Sequence, residues 1–378
     1  MSRIVRVEVG RYDYRVVGAF KFLKPSADGV ARRPSVLVRL TDSDGIQGWG
    51  QAVPMPTWSD ETPETVESTL RHYLAPAVLG ADPEDIEDVH ARLHSAIKPA
   101  FAMGQPMCKA AIDIACYDLT ARRRQVPVHA LLGGARVHTL TISWTVATPN
   151  MDEAEAQLAE GLRRGYRHFN IKVGAPQTPA YDVALAGLVR RTAPDAFLWA
   201  DANTGYTLDT ALQVAPQLAE AGVNVLESPL PPTSIRGYQA LRRQGALPIL
   251  MDEGILTPQQ TAEFVALGMM DGVALKPARN AGLYCSRQIV RLLQEEGLML
   301  LGSGLTDPDF ALAAAVHLYA AADISLPCAL NGAQFLTDWL TGDVLHPREG
   351  QVRVPEGHGL GIAPLAWAES LLTIVAEL

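Results

Sequence analysis

The stretch FNIKVG (169–174) reads as a short buried strand that spends two positions of one face on polar groups. Strand side chains alternate, so Asn170 and Lys172 share a face and Ile171 takes the other. The same ending recurs along the chain, in WAD (199–201), LE (226–227), MD (251–252) and LK (275–276). The terminal charges Lys172, Asp201, Glu227, Asp252 and Lys276 follow one another at intervals of 29, 26, 25 and 24 residues. That interval is one strand-plus-helix unit. Eight strand candidates, TLTISWTV, RHFNIKV, FLWADA, VNVLES, LPILMDE, GVALKP, LMLLGS and PCALNG, alternate with helical stretches such as MDEAEAQLAEGLRRG. Parallel strands need such crossovers, and the rhythm predicts an α/β fold built on a closed (β/α)8 TIM barrel. An open doubly wound sheet is the competing architecture, weakened by the regular spacing and the absence of G-x-G-x-x-G. In a barrel the C-terminal strand ends form one mouth, so the five charges are expected to converge there.

Residues 1–125 have a different rhythm, strands first and helices after, and predict an N-terminal α+β capping domain. VRVEVGRYDY reads as one strand, and SVLVRLTDSDGIQGWGQAV as two joined at Asp44-Gly45. Thr62-Pro63-Glu64 and Asp82-Pro83-Glu84 each pair a helix cap with proline at the first helical position. The irregular stretches 18–34 and 54–62 are expected to be lids, with Phe20, Phe22 and Trp58 as contact residues. The barrel is expected over 126–340, and 341–378 to return to the capping domain.

Of 378 residues, 48% are hydrophobic and 19% charged, the balance of an ordinary globular protein. A formal net charge of -9 and the lack of a dense basic block exclude a nucleic-acid footprint. No apolar run approaches the ~20 residues of a membrane span. MSRIVRVEVG alternates like a strand and lacks a signal-peptide core. Four scattered cysteines, without zinc-like spacing, are expected to be free thiols. These features together predict a cytoplasmic protein.

Each terminal charge taken alone reads as a helix cap or a surface group. Together, three carboxylates in one small cavity repel unless a cation sits between them. Oxygen ligands without His or Cys in register point to Mg2+ first and Mn2+ second. Lys172 and Lys276 bracket the acids, one strand before and one after, and so face the metal from opposite sides. That arrangement suits proton transfer beside a carboxylate, with burial and nearby positive charge lowering the pKa of the lysine that acts as base. Glu253 should turn to the opposite face if its strand persists.

With N-I-K (170–172), D-A-N (201–203), E-S-P (227–229), M-D-E (251–253) and L-K-P-A-R-N-A-G (275–282) in this order, the chain resembles the muconate lactonizing enzyme subgroup of the enolase superfamily over essentially its whole length. The resemblance implies a modified (β/α)8 TIM barrel with an N-terminal α+β capping domain, Asp201, Glu227 and Asp252 as Mg2+ ligands, and Lys172 and Lys276 as the acid/base pair. LMLLGSGL (298–305) has no histidine, which separates the chain from the mandelate racemase subgroup. Muconate lactonizing enzyme relatives usually show K-x-K, whereas Asn170 stands at the first position here. It either donates to a substrate carboxylate or fills a polar niche. On the eighth strand candidate, where relatives carry acids, the chain has Ala329, Leu330 and Asn331. A substrate ammonium is therefore disfavoured, and Asn331 either meets a neutral substituent or closes a turn. Asp307 and Asp309 form a D-x-D-like pair, in which Asp307, before Pro308, reads more readily as a helix cap. Asn203, Glu253, Ser303, Trp58 and Phe20 complete the expected substrate-contacting or supporting set.

The expected activity is abstraction of the α-proton of a small carboxylate to an enediolate, with racemisation or epimerisation as the simplest outcome. Cycloisomerisation and β-elimination share that half-reaction. A Schiff-base aldolase and a non-catalytic carboxylate-binding protein are the readings from other classes. A homo-oligomer is expected, with no nucleic-acid or membrane partner.

Overall fold

In the computed structural model, which describes residues 2–18, 23 and 25–378, three antiparallel strands come first. They are β1 (Ile4–Arg15), β2 (Arg32–Asp42) and β3 (Gln47–Ala52). The β2–β3 hairpin turns at Asp44-Gly45, where Asp42 Oδ1 accepts from the N–H groups of Asp44 and Ile46. Helices follow over Pro63–Thr69, Ile86–Ala96 and Pro106–Arg123. Thr62 caps the first through a reciprocal bond with Thr65. The second begins later than its sequence suggests. Asp85 is its cap, while Asp82 Oδ1 accepts from Glu84 N and closes a turn before it. Two glycines let the third lie flat on β3: a Cβ at Gly50 would stand 1.9 Å from Ala111 O, and one at Gly48 2.3 Å from Ala115 O.

After the short β4 (Thr139–Thr141), seven parallel strands curl side by side. They are β5 (Trp144–Val146), β6 (Phe169–Lys172), β7 (Leu198–Asp201), β8 (Val225–Glu227), β9 (Ile249–Met251), β10 (Gly272–Leu275) and β11 (Met299–Gly302). The eighth candidate does not form a regular strand. Cys328 bridges Ile142 and Ala329 bridges Ser303, both in parallel sense, and these two contacts close the ring. Pro327 has no N–H to give a longer ladder, and the chain turns into a short helix at Gly332. The chain then runs through β12 (Gln351–Arg353), antiparallel to β4, and β13 (Thr373–Glu377), antiparallel to β1. The stretch GQVRV thus pairs with β4, and it is the final strand that joins the capping sheet, in the order β13-β1-β2-β3.

The barrel strands sort their side chains by alternation. Phe169, Ile171, Leu198, Ala200, Leu226, Met251, Val273 and Leu275 face the helices in the main core. Trp199, Val225, Leu250, Ala274, Leu301 and Ala329 fill the inside as a separate cluster. All four cysteines are free and buried. Among the described residues no helix is long and apolar enough to cross a membrane.

Two buried charges tether the loop at 54–62. Arg33, 0% exposed, donates from its guanidinium to the carbonyls of Val53, Pro54, Pro34 and Leu305, so the start of the loop is fixed to the end of β11. Glu61 accepts from the N–H groups of Met107 and Cys108, both at 2.8 Å, in the first turn of the Pro106–Arg123 helix. Burial nonetheless pushes the Glu61 carboxyl up to about 7.

Arg33→Leu leaves these carbonyls unsatisfied, and a loss of about 3–5 kcal/mol is expected in the unfolding free energy measured with urea. For Glu61 the folded pKa lies above the ordinary carboxylate value. Its contribution is therefore fully present below about pH 4.5 and is lost as pH rises through about 7. Wild type should lose up to roughly 3 kcal/mol relative to Glu61→Gln across that window. Parallel pH profiles for the two proteins would sink the assignment.

Candidate active site

The charged arc stands one rung above the apolar filling of the barrel. Two residues beyond the inward-facing Trp199, Val225, Leu250, Ala274 and Leu301 lie Asp201, Glu227, Asp252, Lys276 and Ser303. The strand period aims Asp201 and Glu227 at the mouth, and Asp252, Lys276 and Ser303 stand one residue past the ends of their strands. Lys172 is the register partner of Asp201, and Asp201 of Glu227. Asp252 and Lys276 each follow the last residue of their strand.

Two ammonium–carboxylate pairs flank one carboxylate. Lys172 Nζ donates to Asp201 Oδ2 at 2.5 Å, and Lys276 Nζ donates to Asp252 Oδ2. Arg279 Nη1 takes the other oxygen of Asp252. Glu227, 1% exposed, sits between the pairs, and its Oε1 has no hydrogen-bond partner among the described residues. Burial, then the fields of Asp201 and Asp252, push its carboxyl well above the usual range. Burial would also raise Asp252, but Arg279 and Lys276 outweigh it and hold that carboxyl low. Lys276 is pulled down by burial and pushed further up by Asp252 and Glu227, so its net direction is up. The lowered lysine pKa expected from the sequence is not what these acids impose on Lys276.

The other expected residues gather at the same mouth, with one exception. Lys172, Asn170, Asn203, Ser303, Asn331 and Trp58 line the cavity above Glu227. Asn170 is the inward residue below Lys172, 1% exposed, with neither amide atom partnered among the described residues. Asn331 Nδ2 lies 3.5 Å from Thr145 Oγ1, and its Oδ1 is unpartnered. Glu253 does not turn away, because β9 stops at Met251 and the alternation stops with it. Its Oε1 accepts from Asn203 Nδ2 and from Trp58 Nε1, both at 3.2 Å, which joins the 54–62 loop to the barrel. Asn203 (φ 44°), Ser228 (φ 42°) and Thr306 (φ 57°) hold left-handed backbone just past three of the strands, a conformation that clusters at functional sites. Phe20, with the rest of 19–22, lies outside the described residues.

Three features escaped the sequence reading. Arg279, three residues after Lys276 in K-P-A-R, is folded back by the Arg279 N to Lys276 O bond onto Asp252. A cation one turn after a catalytic-type lysine was the available signal. Asp307 does not cap a helix: the helix starts at Asp309, and both Asp307 oxygens are unpartnered among the described residues. Asp309 instead accepts from Tyr14 Oη at 2.6 Å and from Thr341, joining β1 to the barrel. No local pattern announces a partner 295 residues away.

The donor set fits a hard divalent cation. Among the described residues no three His, Cys, Asp or Glu side chains stand ready-made as a metal cage, because lysine and arginine occupy the oxygens of Asp201 and Asp252. The orphaned Glu227 oxygen, and the repulsion that lifts its pKa, mark where a cation is wanted.

Residues 16–133 match the N-terminal domain of the mandelate racemase/muconate lactonizing enzyme family, and residues 153–367 match the enolase C-terminal domain-like family. Muconate cycloisomerase 1 of Rhodococcus opacus is 30% identical over 95% of each chain. N-succinyl-L-Arg/Lys racemase of Bacillus cereus is 26% identical over 87% of each. The structure of muconate lactonizing enzyme from Pseudomonas fluorescens, complexed with muconolactone, superposes with a TM-score of 0.90 at 24% identity over 98% of both chains. That likeness supports the capped, modified barrel. With its two domains matched in order, the chain belongs to the mandelate racemase/muconate lactonizing enzyme family of the enolase superfamily, in the muconate lactonizing enzyme subgroup, and is an isomerase.

Proposed function

We propose that this protein removes the α-proton of a small carboxylate with Lys172 and Lys276 working from opposite faces, and that the net outcome is racemisation or epimerisation. The observation that carries the reading is the symmetric arc, in which one lysine stands at each end of the Asp201–Glu227–Asp252 trio. Asp201, Glu227 and Asp252 would hold Mg2+, or Mn2+ as second choice, and that ion when bound supplies a fixed positive charge favouring the substrate carboxylate and the charge that develops as the proton leaves.

Each lysine needs a route to one face of the substrate carbon. Lys172 reaches it from β6 and Lys276 from the end of β10, with three strands between them. One lysine takes the proton and the other returns a proton to the opposite face, which inverts the centre. Asn170 and Asn331 offer both donors and acceptors without charge, which suits a neutral substituent on the α-carbon such as an amide or hydroxyl group. An ammonium substituent would find no carboxylate on the closing segment at 328–333. The racemase relative, named for N-succinyl amino acids, agrees in that respect.

Cycloisomerisation is the second reading, favoured by the 30% identity to a muconate cycloisomerase over 95% of both chains. Incubation with muconate, followed by ultraviolet loss of the diene, separates the two.

The test is α-proton exchange in D2O, followed by NMR on single enantiomers of N-acyl amino acids and hydroxy acids. Lys172→Ala should stop exchange from one enantiomer by about 10²-fold or more, and Lys276→Ala from the other. If both variants exchange both enantiomers at wild-type rates, the lysine assignment is wrong. Asp252→Asn should abolish exchange and weaken Mg2+ binding measured by calorimetry. Full wild-type activity in excess chelator would defeat the metal assignment.

A further inference from the structure

Most of the open space at the mouth is not above the acids. The cavity over Lys172, Asn203 and Glu227 measures about 30 Å3, room for roughly one water-sized group. Beside it, under the capping domain, lies a chamber of about 180 Å3. Met55, Trp58, Lys276 and Leu305 line both spaces, so the chamber continues the site on its Lys276 side. Among the described residues, the chamber is the larger space into which an α-substituted carboxylate seated on the trio can extend.

We infer that this chamber is a substrate subsite for an unbranched apolar arm, on the order of six methylene-sized groups by its volume, attached to the reacting carbon. The inference rests on the reading of the site as a carboxylate site. Met55, Met103, Met107, Leu256, Leu305 and Trp58 form the apolar lining. Three methionines give a wall that adapts to a flexible chain better than to a rigid ring. Glu61, Glu253 and Arg279 on the lining are each engaged within the protein through at least one atom, while Glu253 Oε2 and Arg279 Nη2 have no partner among the described residues. Glu61 accepts from Met107 and Cys108, Glu253 from Trp58 and Asn203, and Arg279 donates to Asp252 and to Ile255 O. A charge of either sign at the far end of the arm would have to give up its hydration against this lining. Apolar burial is what the chamber offers.

The test is NMR titration of the Mg2+-supplemented enzyme with acetate, butanoate, hexanoate, adipate and 6-aminohexanoate. Affinity should rise about fourfold per methylene from acetate to hexanoate. Adipate and 6-aminohexanoate, charged at the far end, should lose that gain. In Leu256→Glu hexanoate should bind no tighter than acetate, and Leu256→Met should restore the rise. A flat series, equal binding of the charged chains, or a gain that survives Leu256→Glu would overturn the subsite. A rising series without α-proton exchange from any substrate would keep the chamber and defeat the proton abstraction. Exchange with a flat series would do the reverse.

Discussion

Glu227 carries the central difficulty of this protein: a carboxylate almost wholly withdrawn from water, between two others, with one oxygen unanswered. Placing three acids in a low-dielectric mouth is tolerable only because cations stand beside them. Lys172 answers Asp201, and Lys276 with Arg279 answers Asp252. Beneath them the barrel is filled largely with apolar side chains, from Trp199 to Ala329. Above them, the capping domain meets the mouth through Trp58 and Glu253. The acids therefore need a closed barrel, a packed interior and a cap, and the rest of the chain supplies these.

The strand-end charges were legible because alternation is a rigid rule wherever a strand is buried on both faces. Asn170, Lys172, Asp201 and Glu227 all follow it. Legibility fails where regular backbone ends. Glu253 comes after β9 has stopped, so its direction is set by Asn203 and Trp58 instead of by parity. The eighth candidate strand shrinks to two bridges at Cys328 and Ala329, since Pro327 limits the ladder. Asp309 was passed over for Asp307 because its partners, Tyr14 and Thr341, are remote in sequence. Arg279 sat in a quoted motif without a role, since only the fold-back of its turn brings it to Asp252.

Asn170 shows the limit of the same rule from the other side. The sequence places it inward, and inward it lies, as the register partner of both Thr145 and Trp199. Its neighbours in that rung are apolar from Trp199 round to Ala329. A buried amide without a partner is a costly thing to keep among them, of order 1–3 kcal/mol per unsatisfied group. Asn170 lines the cavity above it, from which a bound group could supply a hydrogen bond.

Arg33 and Glu61 act on the 54–62 loop as two clamps on a short beam. One end is held through Val53 and Pro54 to the end of β11, the other through Met107 and Cys108 to a helix. A span fixed at both ends cannot swing away as a door does. It can only bow, with the largest excursion near its middle, where Trp58 stands. If this part of the cap discriminates among substrates, it does so through the size and polarity of a few side chains on a nearly stationary arch, and replacing them would be the way to change its specificity.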